Sequence, residues 1–178
     1  MEPMADSAAR PSGTVTFLFT DVEGSTRLWA ADSDATSASL LVHDTILRRV
    51  IENHGGYVFA TGGDSFAAAF ARASDGVTAA LRAQGEFSSA AWPGPALRVR
   101  MGLHVGAAEE RGGDYFGPVV NTTARVEAAG HGGQILITDA VRIMASATAT
   151  DLGVHQLRDV EEPLRLYNSA LRSSPVSG

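Results

Sequence analysis

Cysteine and lysine are both absent from this chain. Without cysteine there can be no disulfide and no thiolate metal centre, so any metal must be held by carboxylates, carbonyls or histidines. Without lysine no Walker-type phosphate loop can be completed. All 14 basic residues are therefore arginine, which, beside so much alanine and glycine, reads as the codon bias of a GC-rich bacterial genome. Long apolar runs are missing too, and none approaches the ~20 residues that a membrane span requires. The opening "MEPMADSAARPSG" has neither the basic start nor the apolar core of a secretion signal. Positive charge is in deficit, with a net charge of -6, which argues against a nucleic-acid binder with its usual basic face. The expectation is a cytoplasmic protein with neither membrane nor nucleic acid as partner.

What remains is ordinary globular material: 178 residues, 44% hydrophobic and 19% charged, enough for one domain with a sizeable core. Residues 1–12 and 171–178, rich in small residues, Pro and Ser, read as flexible tails on a domain spanning 13–170. "TVTFLFT" (14–20) is apolar on both sides and suits a central buried strand. Residues 36–53 read as a helix with Leu40, Leu47, Val50 and Ile51 on one face, closed by "HGG". "YVFA" and "SFAAAF" flank "TGGD" as a strand, a turn and a strand. A helix over 74–87 is broken by "WPGP". The cleanest strand is "LRVRMGLHV" (97–105), in which Leu97, Val99, Met101, Leu103 and Val105 face one way. "EERGGDYFG" is a loop or loose hairpin, and Pro118 opens a helix that runs to about residue 129. "QILITD" is another strand, Asp139 a candidate cap for a short helix, and "PLRLYNSA" a last strand. The order β-α-β-β-α-β, followed by more α and β, predicts an α+β, ferredoxin-like sheet with helices on one face.

Chemistry-bearing residues gather at the strand ends. Asp21 follows the first strand in "FTDVEGST", ahead of a turn whose free N–H groups, around Glu23, Gly24, Ser25 and Thr26, suit a phosphate. Taken alone, Asp21 reads equally well as a helix cap. Asp64 in "TGGDSF" reads as a plain turn residue or as half of a metal site. The two aspartates meet only if strands one and three are neighbours. With the carbonyl of Val22 they would then form a hard oxygen site suited to Mg²⁺ or Mn²⁺. In "NTTARVE", Asn121 and Arg125 are four apart on one helix face, a ribose-and-phosphate clamp or a solvated surface. The five histidines show no ligand spacing and read as mostly loop or surface residues, and Trp29 and Trp92 as packing residues.

Together, "TVTFLFTDVEGSTRLW", "HGGYVFATGGDSF", "MGLHVG", "DYFGPVVNTTARVEAAGHGGQILIT" and "LGVHQLRDVEEPLRLY" resemble the class III nucleotidyl cyclases, in that family's order and over nearly the whole folded chain. The resemblance implies a ferredoxin-like core with extra C-terminal α/β elements. It also implies a homodimer with sites at its interface and conversion of a nucleoside triphosphate, ATP rather than GTP, to a 3′,5′-cyclic nucleotide and pyrophosphate. By resemblance, Asp21, Asp64 and the Val22 carbonyl bind two divalent ions, Asn121 orients the ribose, and Arg125 stabilises charge on the α-phosphate. Arg158 falls where the family often has a phosphate-binding lysine, and Asp114 matches the adenine-selecting aspartate. Ala60 departs from the pattern, because ATP-using members carry a lysine there. The alternative implied is a degenerate cyclase-homology domain that dimerises or binds nucleotide to regulate a partner. "GGDSF" is also similar to the GGDEF hairpin of diguanylate cyclases, but Ser65 replaces that family's second acid and "NTTARVE" has no place there.

Overall fold

A computed structural model describes residues 10–170. The strands are β1 (Gly13–Val22), β2 (Tyr57–Gly62), β3 (Ser65–Phe70), β4 (Val99–Arg111), β5 (Asp114–Phe116), β6 (Ile135–Thr138), β7 (Thr150–His155) and β8 (Leu164–Asn168). The helices are α1 (Ser25–Ala31), α2 (Ser33–Asn53), α3 (Ala73–Ser89), α4 (Pro118–Ala128) and α5 (Asp139–Ala145). The strands lie in the order β2-β3-β1-β4-β6-β8-β7, with β5 pairing the far end of β4. Every pairing is antiparallel except β4 with β6. This is the expected α+β arrangement with its additional C-terminal elements, and β1 does sit between β3 and β4.

The apolar character of β1 on both sides has a direct cause: both faces of the sheet are covered. Leu18 packs with Leu47 and Ile51 of α2, Val77 and Ala80 of α3, and Val141 of α5 on one face. Val15 and Phe17 point the other way and pack with Tyr115 and with Val119 of α4. Farther along that second face, Val126 of α4 meets Leu136 and Leu166. Helices on one face only was the expectation, and α4 corrects it. Phe17, fully buried, also touches the rings of Phe19, Phe59 and Tyr115 edge-on, so the second face has an aromatic core of its own. Burying each such side chain contributes about 1.5–3 kcal/mol.

Local chemistry sets the ends of the elements. Helix α2 starts at Ser33, ahead of the expected 36, because the Asp32 carboxylate accepts the Ala35 N–H at 3.0 Å. The segment "EERGGDYFG" forms an ordered hairpin, with Glu109 opposite Phe116 and Arg111 opposite Asp114. Strand β7 lacks apolar alternation and was not anticipated; it pairs with β8 at the sheet's outer edge. Asp139 does not cap α5. It lies inside the first turn, where Oδ1 accepts from Arg142 and from the Tyr167 hydroxyl. Of the expected N-terminal tail, residues 1–9 lie outside the described residues, as do 171–178 at the other end. Pro11 is held, its carbonyl accepting the Tyr115 hydroxyl at 2.7 Å.

Candidate active site

Register brings the two expected metal aspartates together. Strand β1 runs antiparallel to β3 with Thr20 opposite Phe66, so Asp21 comes level with Ser65, beside Asp64. Asp64 is presented by a two-residue hairpin turn between Gly62 and Ser65. Gly63 takes φ +58 at the first turn position, which a side chain would resist, and the Ser65 hydroxyl ties back to the Gly62 carbonyl at 2.7 Å. On its other side Asp21 pairs in register with Arg100 of β4. The Arg100 guanidinium grips it as a two-toothed fork, Nε to Oδ1 at 2.7 Å and Nη2 to Oδ2 at 2.5 Å.

A third carboxylate, Glu127 of α4, reaches the same place. It does so because β4 carries glycine at 102, where a Cβ would stand 2.5 Å from the Glu127 amide nitrogen; α4 therefore lies almost on the sheet. Glu127 is 8% exposed, its Oε1 has no hydrogen-bond partner, and that oxygen is 3.8 Å from Arg100 Nε. Burial, then a hydrogen bond with Asp21, then the negative charges of Asp21 and Asp64 push its carboxyl up to about 9, against the pull of Arg100. Two acids, Asp21 and Glu127, thus meet one arginine, and Glu127 also feels the charge of Asp64. Asp21 and Asp64, with a buried Glu127 oxygen that no donor occupies, offer hard oxygen donors that fit a divalent cation. Among the described residues no three His, Asp or Glu side chains are grouped closely enough to enclose an ion themselves.

The other expected residues are distributed around this cluster. Val22 buries its side chain in the core, so only its backbone is open to chemistry. Gly24 takes φ +70 as it leads into α1, and the Ser25 and Thr26 N–H groups begin that helix, where no intrahelical acceptor exists. The Glu23 side chain lies against Gly132 and 3.8 Å from His131. Ala60 is exposed on β2, at a shift in register. Asp114 is exposed at the start of β5 and accepts the Tyr115 N–H.

Helix α4 separates two groups of residues. Val119, Thr123, Val126 and Glu127 are buried against the sheet, while Asn121 is exposed on the opposite side. Arg125 lies on the Asn121 side, in the loop-facing direction, where it pairs with Asp159 at 2.8 Å. One chain therefore does not aim Asn121 and Arg125 at its own Asp21. Arg158 is largely solvent-exposed beside the same Asp159.

Two residues escaped the sequence reading, Arg100 and Glu127. The signal for Arg100 was available: a charge in the middle of a central strand must find a partner if both faces are covered. The histidines also need correction, since His43 is fully buried and stacked on Phe87, and His104 is mostly buried with Nδ1 2.8 Å from the Thr138 hydroxyl. Trp92 packs on Phe87 as expected, whereas Trp29 is 38% exposed.

The profile of the adenylate and guanylate cyclase catalytic domain matches residues 7–161. An uncharacterized protein of Mycobacterium tuberculosis is 40% identical over 161 residues, which is 86% of this chain and 54% of that protein. A receptor-type adenylate cyclase of Trypanosoma brucei brucei is 35% identical over 91% of this chain but only 17% of its own length. The chain thus spans about half the length of the mycobacterial relative and far less of the trypanosomal one. Among solved structures, a monomeric-state adenylate cyclase from Trypanosoma brucei superposes with TM-score 0.83 at 29% identity, covering 89% of this chain and 88% of that one. An adenylate/guanylate cyclase/hydrolase from Silicibacter pomeroyi gives 0.76 at 26% identity, covering 89% and 96%. Sheet order, profile and relatives agree that the chain belongs to the class III adenylate/guanylate cyclase catalytic-domain family.

Proposed function

We propose that this domain is an adenylate cyclase converting ATP to 3′,5′-cyclic AMP and pyrophosphate. The observation that carries the reading is the register that sets Asp21 level with the Asp64 turn at the end of β1, a pair of carboxylates suited to divalent cations. The adenylate cyclase relatives at 35% and 29% identity support the choice of ATP. Asp21, Asp64 and the Val22 carbonyl would hold two Mg²⁺ or Mn²⁺ ions. When bound, such ions polarise the ribose 3′-hydroxyl and neutralise the triphosphate.

The chain's own residues do the rest. Free N–H groups at Gly24, Ser25 and Thr26 receive phosphate oxygens, with the Glu23 backbone completing the turn. Asn121 hydrogen-bonds the ribose, placing the 3′-oxygen in line with the α-phosphate. Arg125 offers its fork to the charge that grows on that phosphate, and Arg158 meets the outer phosphates. Asp114 accepts from the adenine amino group. Asn121 and Arg125 face away from their own Asp21, so they serve the site of a second copy, and the working unit is a homodimer with two shared sites.

A second reading is favoured by Ala60. The methyl group cannot donate to adenine as lysine does, and a missing charged hydrogen bond costs about 1.5–3 kcal/mol. On that reading the domain binds nucleotide and regulates a partner without turnover. Cyclic-nucleotide assays with ATP and GTP, each with Mn²⁺ and Mg²⁺, separate the two. Product formed by the parent and lost in Asp64→Ala supports the enzyme. Nucleotide binding without product under all four conditions selects the regulator.

A further inference from the structure

The Arg100 fork bears on how the acidic cluster accepts a cation. A guanidinium bonded to both oxygens of Asp21 takes up the lone pairs that lie between them and puts a fixed positive charge against the carboxylate. A divalent ion that uses Asp21 competes for the same oxygens and is repelled by that charge at close range. Arginine cannot relieve the conflict by losing its proton. It must move. An acceptor lies within reach, since Glu127 Oε1 is 3.8 Å from Arg100 Nε and no other donor occupies it. Gly102 lets α4 approach closely and so holds the backbone and Cβ of Glu127 against β4.

We propose that Arg100 is the resident counter-cation of Asp21, and that a divalent ion takes Asp21 by displacing the guanidinium onto Glu127. Arg100 is then a positioning residue that sets the metal affinity of the site, and Glu127 is the acceptor that makes the exchange possible. This rests on the assignment of Asp21 as a metal ligand, made above.

The two roles predict opposite effects on binding of Mn²⁺ alone to the full chain, measured by electron paramagnetic resonance of the free ion. Arg100→Gln removes the competitor and should tighten Mn²⁺ by about tenfold or more, the scale of one charge-assisted hydrogen bond. Glu127→Gln leaves Arg100 on Asp21 and should weaken Mn²⁺ by a similar factor. In the Arg100→Gln background, Glu127→Gln should change the affinity less than about twofold, because no guanidinium needs a new acceptor. Equal effects of Glu127→Gln in both backgrounds would reduce Glu127 to general negative charge and overturn the exchange. Unchanged or weaker binding in Arg100→Gln overturns it as well. Should Arg100→Gln fold poorly, Arg100→Lys keeps the charge without the fork and should bind Mn²⁺ between parent and Gln variant. Its melting temperature should then rise with added Mn²⁺ by more than the parent's, and an equal rise overturns the proposal. Asp21→Asn distinguishes the underlying assignment: loss of Mn²⁺ binding there upholds Asp21 as ligand whatever Arg100 does, and no loss removes both claims.

Discussion

Ala60 is where residue chemistry and family pattern part. It lies exposed on β2, so a longer side chain meets no packed core there. If its methyl group limits adenine recognition, Ala60→Lys should raise turnover of ATP relative to GTP by about tenfold or more, read as the ratio of the two cyclic products. No change in that ratio would place the limit elsewhere. Asp64 makes a complementary case, since it stands half-buried in a turn and belongs to none of the apolar clusters. Asp64→Ala should lose most Mn²⁺ binding in the presence of nucleotide while the melting temperature stays near the parent's, measured by calorimetry of both. At this scale much of the candidate site was legible. Asp21 and Asp64 each have a bland reading as cap or turn residue, and only their conjunction with the other motifs singles them out. Arg100 and Glu127 were not singled out, because each sits in a pattern with a bland explanation. Arg100 occupies the polar half of an alternating strand, and Glu127 follows Arg125 in a run of helix-surface residues. Only the position of α4 over the sheet turns both into buried charges.

The elements were readable where the pattern was strong: periodic in α2 and β4, continuously apolar in β1. They were not where context decides: β7 is a strand because β8 offers an edge, and the far end of β4 because β5 folds back on it. One-sided helix packing was the natural inference from the β-α-β-β-α-β order, yet the polar half of β4 includes Gly102 and Gly106, both in contact range of α4. Small residues there mark a second helix layer. Gly102→Ala should accordingly lift α4 and cost about 1–3 kcal/mol in chemical denaturation. His104 lies on the same strand, and burial depresses its pKa below the usual 6.5. A depressed histidine is folded in its neutral form, so its contribution is present above pH 6.5 and is lost as pH falls through the lowered value. The urea midpoint should therefore drop as pH falls below neutral, and His104→Gln should flatten that part of the profile.

At the scale of the whole molecule the decisive prediction is complementation. Asp64→Ala and Arg125→Ala homodimers should each be inactive, whereas a mixed dimer has one site carrying both defects and one carrying neither. If half the dimers are mixed, activity should return to about a quarter of the parent's. Confirmed exchange of subunits with no recovery, from an active parent, would sink the shared site. The placement of α4 carries one more consequence. Its inner side bears Glu127, which belongs to its own chain's acidic cluster, and its outer side bears Asn121 and Arg125, which on the proposed arrangement belong to the neighbour's. In that proposed dimer a single helix would form a wall between two reaction chambers. It cannot tilt or slide to suit one without altering the shape of the other, so filling the first chamber must bias the second by linkage. Such an enzyme counts its substrates in pairs, and its saturation curve with nucleotide should depart from a simple hyperbola.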